Sequence, residues 1–158
     1  MSVGSKLLVA LLVSPVLVAV AVIGSCEARK AYFDRQIDKM CEKDGGVTVF
    51  ETVAVSKQDY LRLGGSHGQI PVPEERSATA DYPYVSNTTR TVLRSGNPEV
   101  TRTDALIKRR SDGKVLARFV SYARIGGDPP SWAHPSHRMC DLPGGDLSQV
   151  FIVEGTAK

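Results

Sequence analysis

The chain has 158 residues, of which 20 are Lys or Arg and 17 Asp or Glu, and it contains only three cysteines. That length holds one buried core and is short for two domains. The near balance of charge gives no argument for nucleic acid as a partner.

The chain begins with one lysine, Lys6, followed by an apolar run from Leu7 to Ile23 and then Gly24-Ser25-Cys26; the first acidic residue is Glu27. A basic residue, an uncharged apolar core and a small-residue exit are the parts of an export signal. The run is slightly short of the roughly 20 residues that span a bilayer, and Pro15 interrupts it. Val22-Ile23-Gly24-Ser25-Cys26 resembles the bacterial lipobox. The resemblance implies cleavage after Ser25, residues 1–25 as a leader, and a lipidated Cys26 at the head of a periplasmic domain, 26–158. Two or more acyl chains would give stable anchoring. Glu27 stands where aspartate is the usual inner-membrane retention residue, so the resemblance favours the outer membrane. An uncleaved anchor helix and a soluble protein cut near Ala28 are the competing readings.

Cysteine arithmetic follows from the leader. With Cys26 lipidated, Cys41 and Cys140 remain as an even pair in an oxidising compartment. A bond between them closes a loop of about 100 residues, worth up to ~4–5 kcal/mol in the chain-entropy account. Loss of Lys6 with the leader leaves 19 basic residues against the same 17 acidic ones.

Ala28 to Lys43 reads as a helix, because Phe33, Ile37, Met40 and Cys41 form one apolar stripe and Gly45-Gly46 supplies a stop. Val47, Val49, Val53 and Val55 alternate, which predicts one strand over 47–55. Residues 57–63 suggest a helical turn around Tyr60 and Leu61. Residues 64–83 are rich in glycine, proline and small polar residues and read as a long loop, functional or mobile. Residues 85–93 predict a strand, and Ser95-Gly96-Asn97-Pro98 a turn. Two strands then flank Ser111-Asp112-Gly113-Lys114. A two-residue Asp-Gly turn sets Leu106 opposite Phe119, Ile107 opposite Arg118 and Lys108 opposite Ala117. Residues 126–130 end the hairpin, 131–146 are irregular, and 149–153 read as a last strand. The expected fold is α+β, one N-terminal helix on a sheet of four or five mostly antiparallel strands.

Two clusters are candidates for chemistry. His134, His137 and Cys140, beside Asp141 and with His67 as a remote fourth donor, have the ligand types of a zinc or copper site. That site competes with the disulfide for Cys140. The second cluster is the basic hairpin of Lys108, Arg109, Arg110, Lys114 and Arg118, suited either to anionic head groups or to a solvated, aggregation-resistant tip. Ser66-His67 and Ser136-His137 place a hydroxyl beside an imidazole, but adjacency in sequence does not build a triad. No nucleophile elbow, phosphate loop or zinc-protease motif occurs. Trp132 reads as a lid on the core.

The stretch from Asp38 to Val53, with the hairpin at Ile107 to Gly127 and the late Cys140, resembles uncharacterised lipoproteins of Gram-negative bacteria. That resemblance implies a lipid anchor and no catalytic residues. The expected protein is a non-catalytic envelope lipoprotein with a binding or structural role. It would touch membrane lipid through its anchor and an envelope protein as inhibitor or accessory, with no cofactor beyond the covalent lipid. A periplasmic metal-binding protein is the alternative.

Overall fold

The computed structural model describes residues 3–67, 69–129, 134–140 and 149–155, with side chains from residue 17 onward. One helix, α1, runs from Val3 to Asp44, so the segment expected as a leader and the expected domain helix are continuous and Pro15 does not end it. It stops at Gly45, whose N–H bonds the Cys41 carbonyl at 2.9 Å. A side chain there would meet that carbonyl at 2.7 Å, and Gly46 follows at φ +123°, so the two glycines make a break that other residues would strain.

Among the described residues, seven strands and a short helix follow: β1 (Gly46–Val49), β2 (Val53–Val55), α2 (Lys57–Arg62), β3 (Tyr84–Arg94), β4 (Glu99–Arg109), β5 (Val115–Ile125), β6 (His137–Met139) and β7 (Phe151–Val153). The main sheet has the order β1-β5-β4-β3, with β6 also on β5, and its pairings are antiparallel. β1 and β6 therefore lie end to end along one edge of β5, while β3 forms the opposite edge. β2 and β7 pair in parallel as a separate small sheet. The architecture is the expected α+β arrangement, one long helix on a five-stranded mostly antiparallel sheet.

Two sequence expectations are corrected. The strand predicted over 47–55 is two strands in different sheets. Phe50 and Glu51 both donate to the Leu116 carbonyl, at 2.8 and 3.1 Å, and Val53 then starts a new ladder on Val150. The hairpin register is also displaced. Arg109 bonds Lys114 across a four-residue loop, and a shift at Ile107/Lys108 follows. Leu106 consequently faces Arg118, Ile107 faces Ala117, and Phe119 faces Ala105. A one-residue slip moves each partner to the other face of the pleat.

Two clusters form the core. Ile37 of α1 packs with Val100, Val120 and Tyr122, joined by Phe33, Met40, Cys41 and Cys140. The second, near the hairpin end, contains Val55, Leu63, Ile70, Ile107, Leu116, Ala117, Val150 and Phe151. The predicted loop contributes to it: Ile70 is buried, and Tyr82 bonds the carbonyls of Leu63 and Pro71, at 3.1 and 2.5 Å. The Ser86 N–H donates to the Pro73 carbonyl and the Glu75 N–H to the Ser86 carbonyl, which lays part of this segment along β3.

Candidate functional site

The described part of α1 divides at Cys26. Residues 17–25 are all exposed, and Leu17, Val18, Val20, Val22 and Ile23 each keep 45–62% of their surface accessible. Cys26 is the first buried residue, 3% exposed, with its sulfur 3.8 Å from the Arg29 guanidinium. From it a helical stripe of Lys30, Phe33, Asp34, Ile37, Met40 and Cys41 lies against the sheet.

Polar contacts pin that stripe. Lys30 reaches the buried Asp128 at 3.2 Å and Glu27 at 2.6 Å. Asp128 Oδ2 accepts the Ser136 N–H at 2.6 Å. That backbone bond, with the Ser136 hydroxyl and the Lys30 ammonium, holds the Asp128 carboxyl down at about 2. Arg124, 3% exposed, donates to Asp34 at 2.6 Å, to the Gly126 carbonyl, and to the Ser136 hydroxyl at 3.2 Å. Arg138 meets Asp38 at 3.0 Å, and Cys41 is bonded to Cys140 with Cα atoms 5.6 Å apart. The sequence gives little warning of this network. Gly126-Gly127-Asp128-Pro129 reads as a strand terminator, yet all four residues are buried.

The disulfide commits the sulfur of the proposed metal cluster. His134 and His137 are exposed on either side of the segment that bonds Asp128 and Arg124. Among the described residues no group of three or more His, Cys, Asp or Glu could hold a metal ion. His67 is exposed at φ +50° in the turn closed by Ser66 and Gln69. Trp132 and Asp141 lie outside the described residues.

The basic hairpin is threaded with acids. Arg109 pairs with Glu51 and, at 2.9 Å, with Asp112; Lys114 also pairs with Glu51. Arg118 Nε bonds Asp104 at 2.9 Å, and Arg110 bonds the Ala80 carbonyl. Lys108 is half-buried. The Glu51 carboxyl is lowered, first by Lys114 and then by Arg109, and Asp104 is lowered first by Arg118. The tip is also remote from the start of the packed helix. Arg124, which bonds Asp34 near that start, is eleven residues from Gly113, about 35 Å along an extended strand. Screening acts over ~8 Å at physiological salt, so charges at the tip and at the start of the packed helix do not sense each other.

The open surface is on the helix side of the sheet. α1 covers Val100, Val120 and Tyr122 and then ends; Asp44 accepts from the Tyr122 hydroxyl at 2.8 Å and meets Arg102 at 3.3 Å. Beyond that point Arg102, Asp104, Leu106 and Arg118 floor a groove of about 1020 Å³, with Phe50 and Leu93 at its margins. Phe50 is 60% exposed. The floor is a chain of ion pairs, Asp44–Arg102–Asp104–Arg118, so its charges are internally matched. It suits a mixed polar and apolar ligand surface. This groove is not evident in the sequence because it depends on where α1 stops and on the hairpin register.

Comparison with known proteins finds no matching family model, no matching curated protein and no matching solved structure. Among the described residues no helix is long and apolar enough to cross a membrane.

Proposed function

We propose that this chain is a cell-envelope lipoprotein, a non-catalytic binding module held on a membrane by acyl groups on Cys26 and facing the periplasm. The observation that carries this reading is the division of α1 at its lipobox-like cysteine. Everything described before Cys26 is exposed, Cys26 is the first buried side chain among the described residues, and the stripe that packs on the sheet follows it. None of residues 17–25 belongs to either core cluster, so cleavage after Ser25 would remove no described core side chain. It would leave Cys26 as the first residue, free to turn its side chain away from the helix and toward lipid. The open groove, lying past the other end of the packed helix, is the surface offered to a partner protein, and the outer membrane is the favoured side.

Intact mass of membrane-extracted protein, with and without reduction, tests the proposal. A chain starting at Cys26, heavier by acyl groups and gaining two hydrogens on reduction, is the expected result. A mass that retains Met1 would replace the lipoprotein with an uncleaved anchor. An unmodified chain beginning near Ala28 would make the protein a released, soluble one.

A further inference from the structure

The sheet has two long edges, and they are treated differently. On one edge of β5, β1 and β6 are four and three residues long. Shortness of this kind blunts an edge against unwanted pairing. The opposite edge is β3, eleven residues long, with the sequence Tyr-Val-Ser-Asn-Thr-Thr-Arg-Thr-Val-Leu-Arg. It holds no lysine and no proline. Every residue from Asn87 to Arg94 is exposed, so neither face is covered there.

The direction of the free backbone groups follows from the chain's own use of this edge. The Ser86 N–H bonds the Pro73 carbonyl at 2.8 Å, and the Ser86 carbonyl accepts from the Glu75 N–H at 2.8 Å. Ser86 therefore points both groups outward, away from β4. Backbone direction alternates along a strand, so Thr88, Arg90 and Val92 point outward as well. Among the described residues no strand takes these six groups. The segment at 73–75 pairs in parallel with the start of the edge and then leaves it, beside a cavity of about 360 Å³ bounded by Glu74, Glu75, Arg76, Ser86, Asn87 and Thr88.

We propose that the free edge of β3, from Thr88 to Val92, accepts an extended acidic segment of a partner protein as an added strand. Strand addition of this kind draws affinity from main-chain bonds and specificity from alternate side chains. A second copy of this chain fits less well. The antiparallel register that uses all three outward residues sets Arg90 against Arg90, and like charges directly opposite are destabilising. The charges of β3 are two arginines, and the segment already seated at its start carries Glu74 and Glu75. Arg90 now meets Glu99 at 2.8 Å in an exposed pair, which an incoming carboxylate can share at little cost. This inference rests on the binding role proposed above and not on the lipid anchor.

Amide exchange on the full chain in detergent micelles tests it, with a capped seven-residue peptide of alternating threonine and valine carrying one central glutamate as the probe. Without peptide, Thr88, Arg90 and Val92 should exchange fast and Asn87, Thr89 and Thr91 slowly. Saturating peptide should slow the first three by about tenfold or more. A central lysine should weaken binding roughly fivefold. Thr88→Pro removes an outward backbone donor, and Arg90→Pro removes one together with the guanidinium that meets Glu99; edge strands tolerate proline at such positions, and each should abolish protection while the melting curve stays cooperative. Peptide-induced shifts confined to Arg102, Asp104 and Arg118 would overturn strand addition and leave the groove as the binding surface. No response anywhere would remove the binding reading with it. Self-association that Arg90→Pro abolishes would make the occupant a second copy and overturn the proposal.

Discussion

The two halves of the helix-side face of the sheet differ in how they are held. On the half beneath α1, apolar contact, a disulfide and buried ion pairs converge: Ile37 on Val100 and Val120, Cys41 to Cys140, Arg124 to Asp34 and Lys30 to Asp128. On the other half, Thr89, Thr91, Arg102, Asp104 and Arg118 line the open groove, and among the described residues the ion pairs of its floor are exposed or half-exposed. The difference arises at one point, where Gly45 ends the helix. A helix two turns longer would run on over Arg102 and Asp104, where the surface is polar and charged. The sequence of β3 and β4 beyond that point is thus matched to solvent or to a ligand, while that of Val100 and Val120 is matched to a helix.

The comparison breaks most severely at the disulfide. Replacing both Cys41 and Cys140 by alanine opens a loop of 99 residues. It should lower unfolding free energy by roughly 2–5 kcal/mol, read from urea denaturation. A loss below about 1 kcal/mol would mean that the packed half is held by apolar contact alone. Acid comes next. Asp128 is lowered from 3.8 to about 2 by its bond from the Ser136 N–H, the Ser136 hydroxyl and Lys30. A carboxyl lowered by folding contributes stability that is present above its unfolded value and lost as pH falls through its folded one. The contribution should be whole above about pH 4 and fade toward pH 2. Asp128→Asn should flatten the slope of melting temperature against pH in that window, without removing the part due to Asp104 and Glu51. An unchanged slope would detach Asp128 from the stability of the seam.

How much of this is legible in the sequence depends on the range of each interaction. The stripe of Phe33, Ile37, Met40 and Cys41 is local, recurs at helical spacing, and lies in the core as read. The pairing of Cys41 with Cys140 follows from counting. The split at Phe50 does not, since valines at 47, 49, 53 and 55 alternate equally well in one strand or two, and the parallel partner of the second, β7, is about a hundred residues away. The hairpin was visible and its register was not: Asp112-Gly113 favours a two-residue turn, but Arg109 and Lys114 close a longer one. Leu106 therefore lies on the open groove floor and Phe119 on the opposite face, which is why the groove itself was invisible. Nothing in the sequence ties Lys30 and Asp34 to Asp128 and Arg124, because no local pattern links residues separated by about ninety positions.

The smallest expected effects sharpen the comparison from the open side. Phe50 is 60% exposed and Leu93 48%, so Phe50→Ser and Leu93→Ser should change stability by no more than about 0.5 kcal/mol. Arg118→Ala releases Asp104 from an ion pair whose arginine side chain is 43% exposed, and should cost less than about 1 kcal/mol. Ile37→Ala, on the packed half and fully buried, provides the internal standard at roughly 2–5 kcal/mol. All four are read from the same denaturation midpoints. If Phe50→Ser costs as much as Ile37→Ala, the groove is part of the core, and a surface for a partner has to be sought elsewhere. If it costs almost nothing, an aromatic ring has been kept on an open face without a stability reason, and contact with a partner becomes the reason to test.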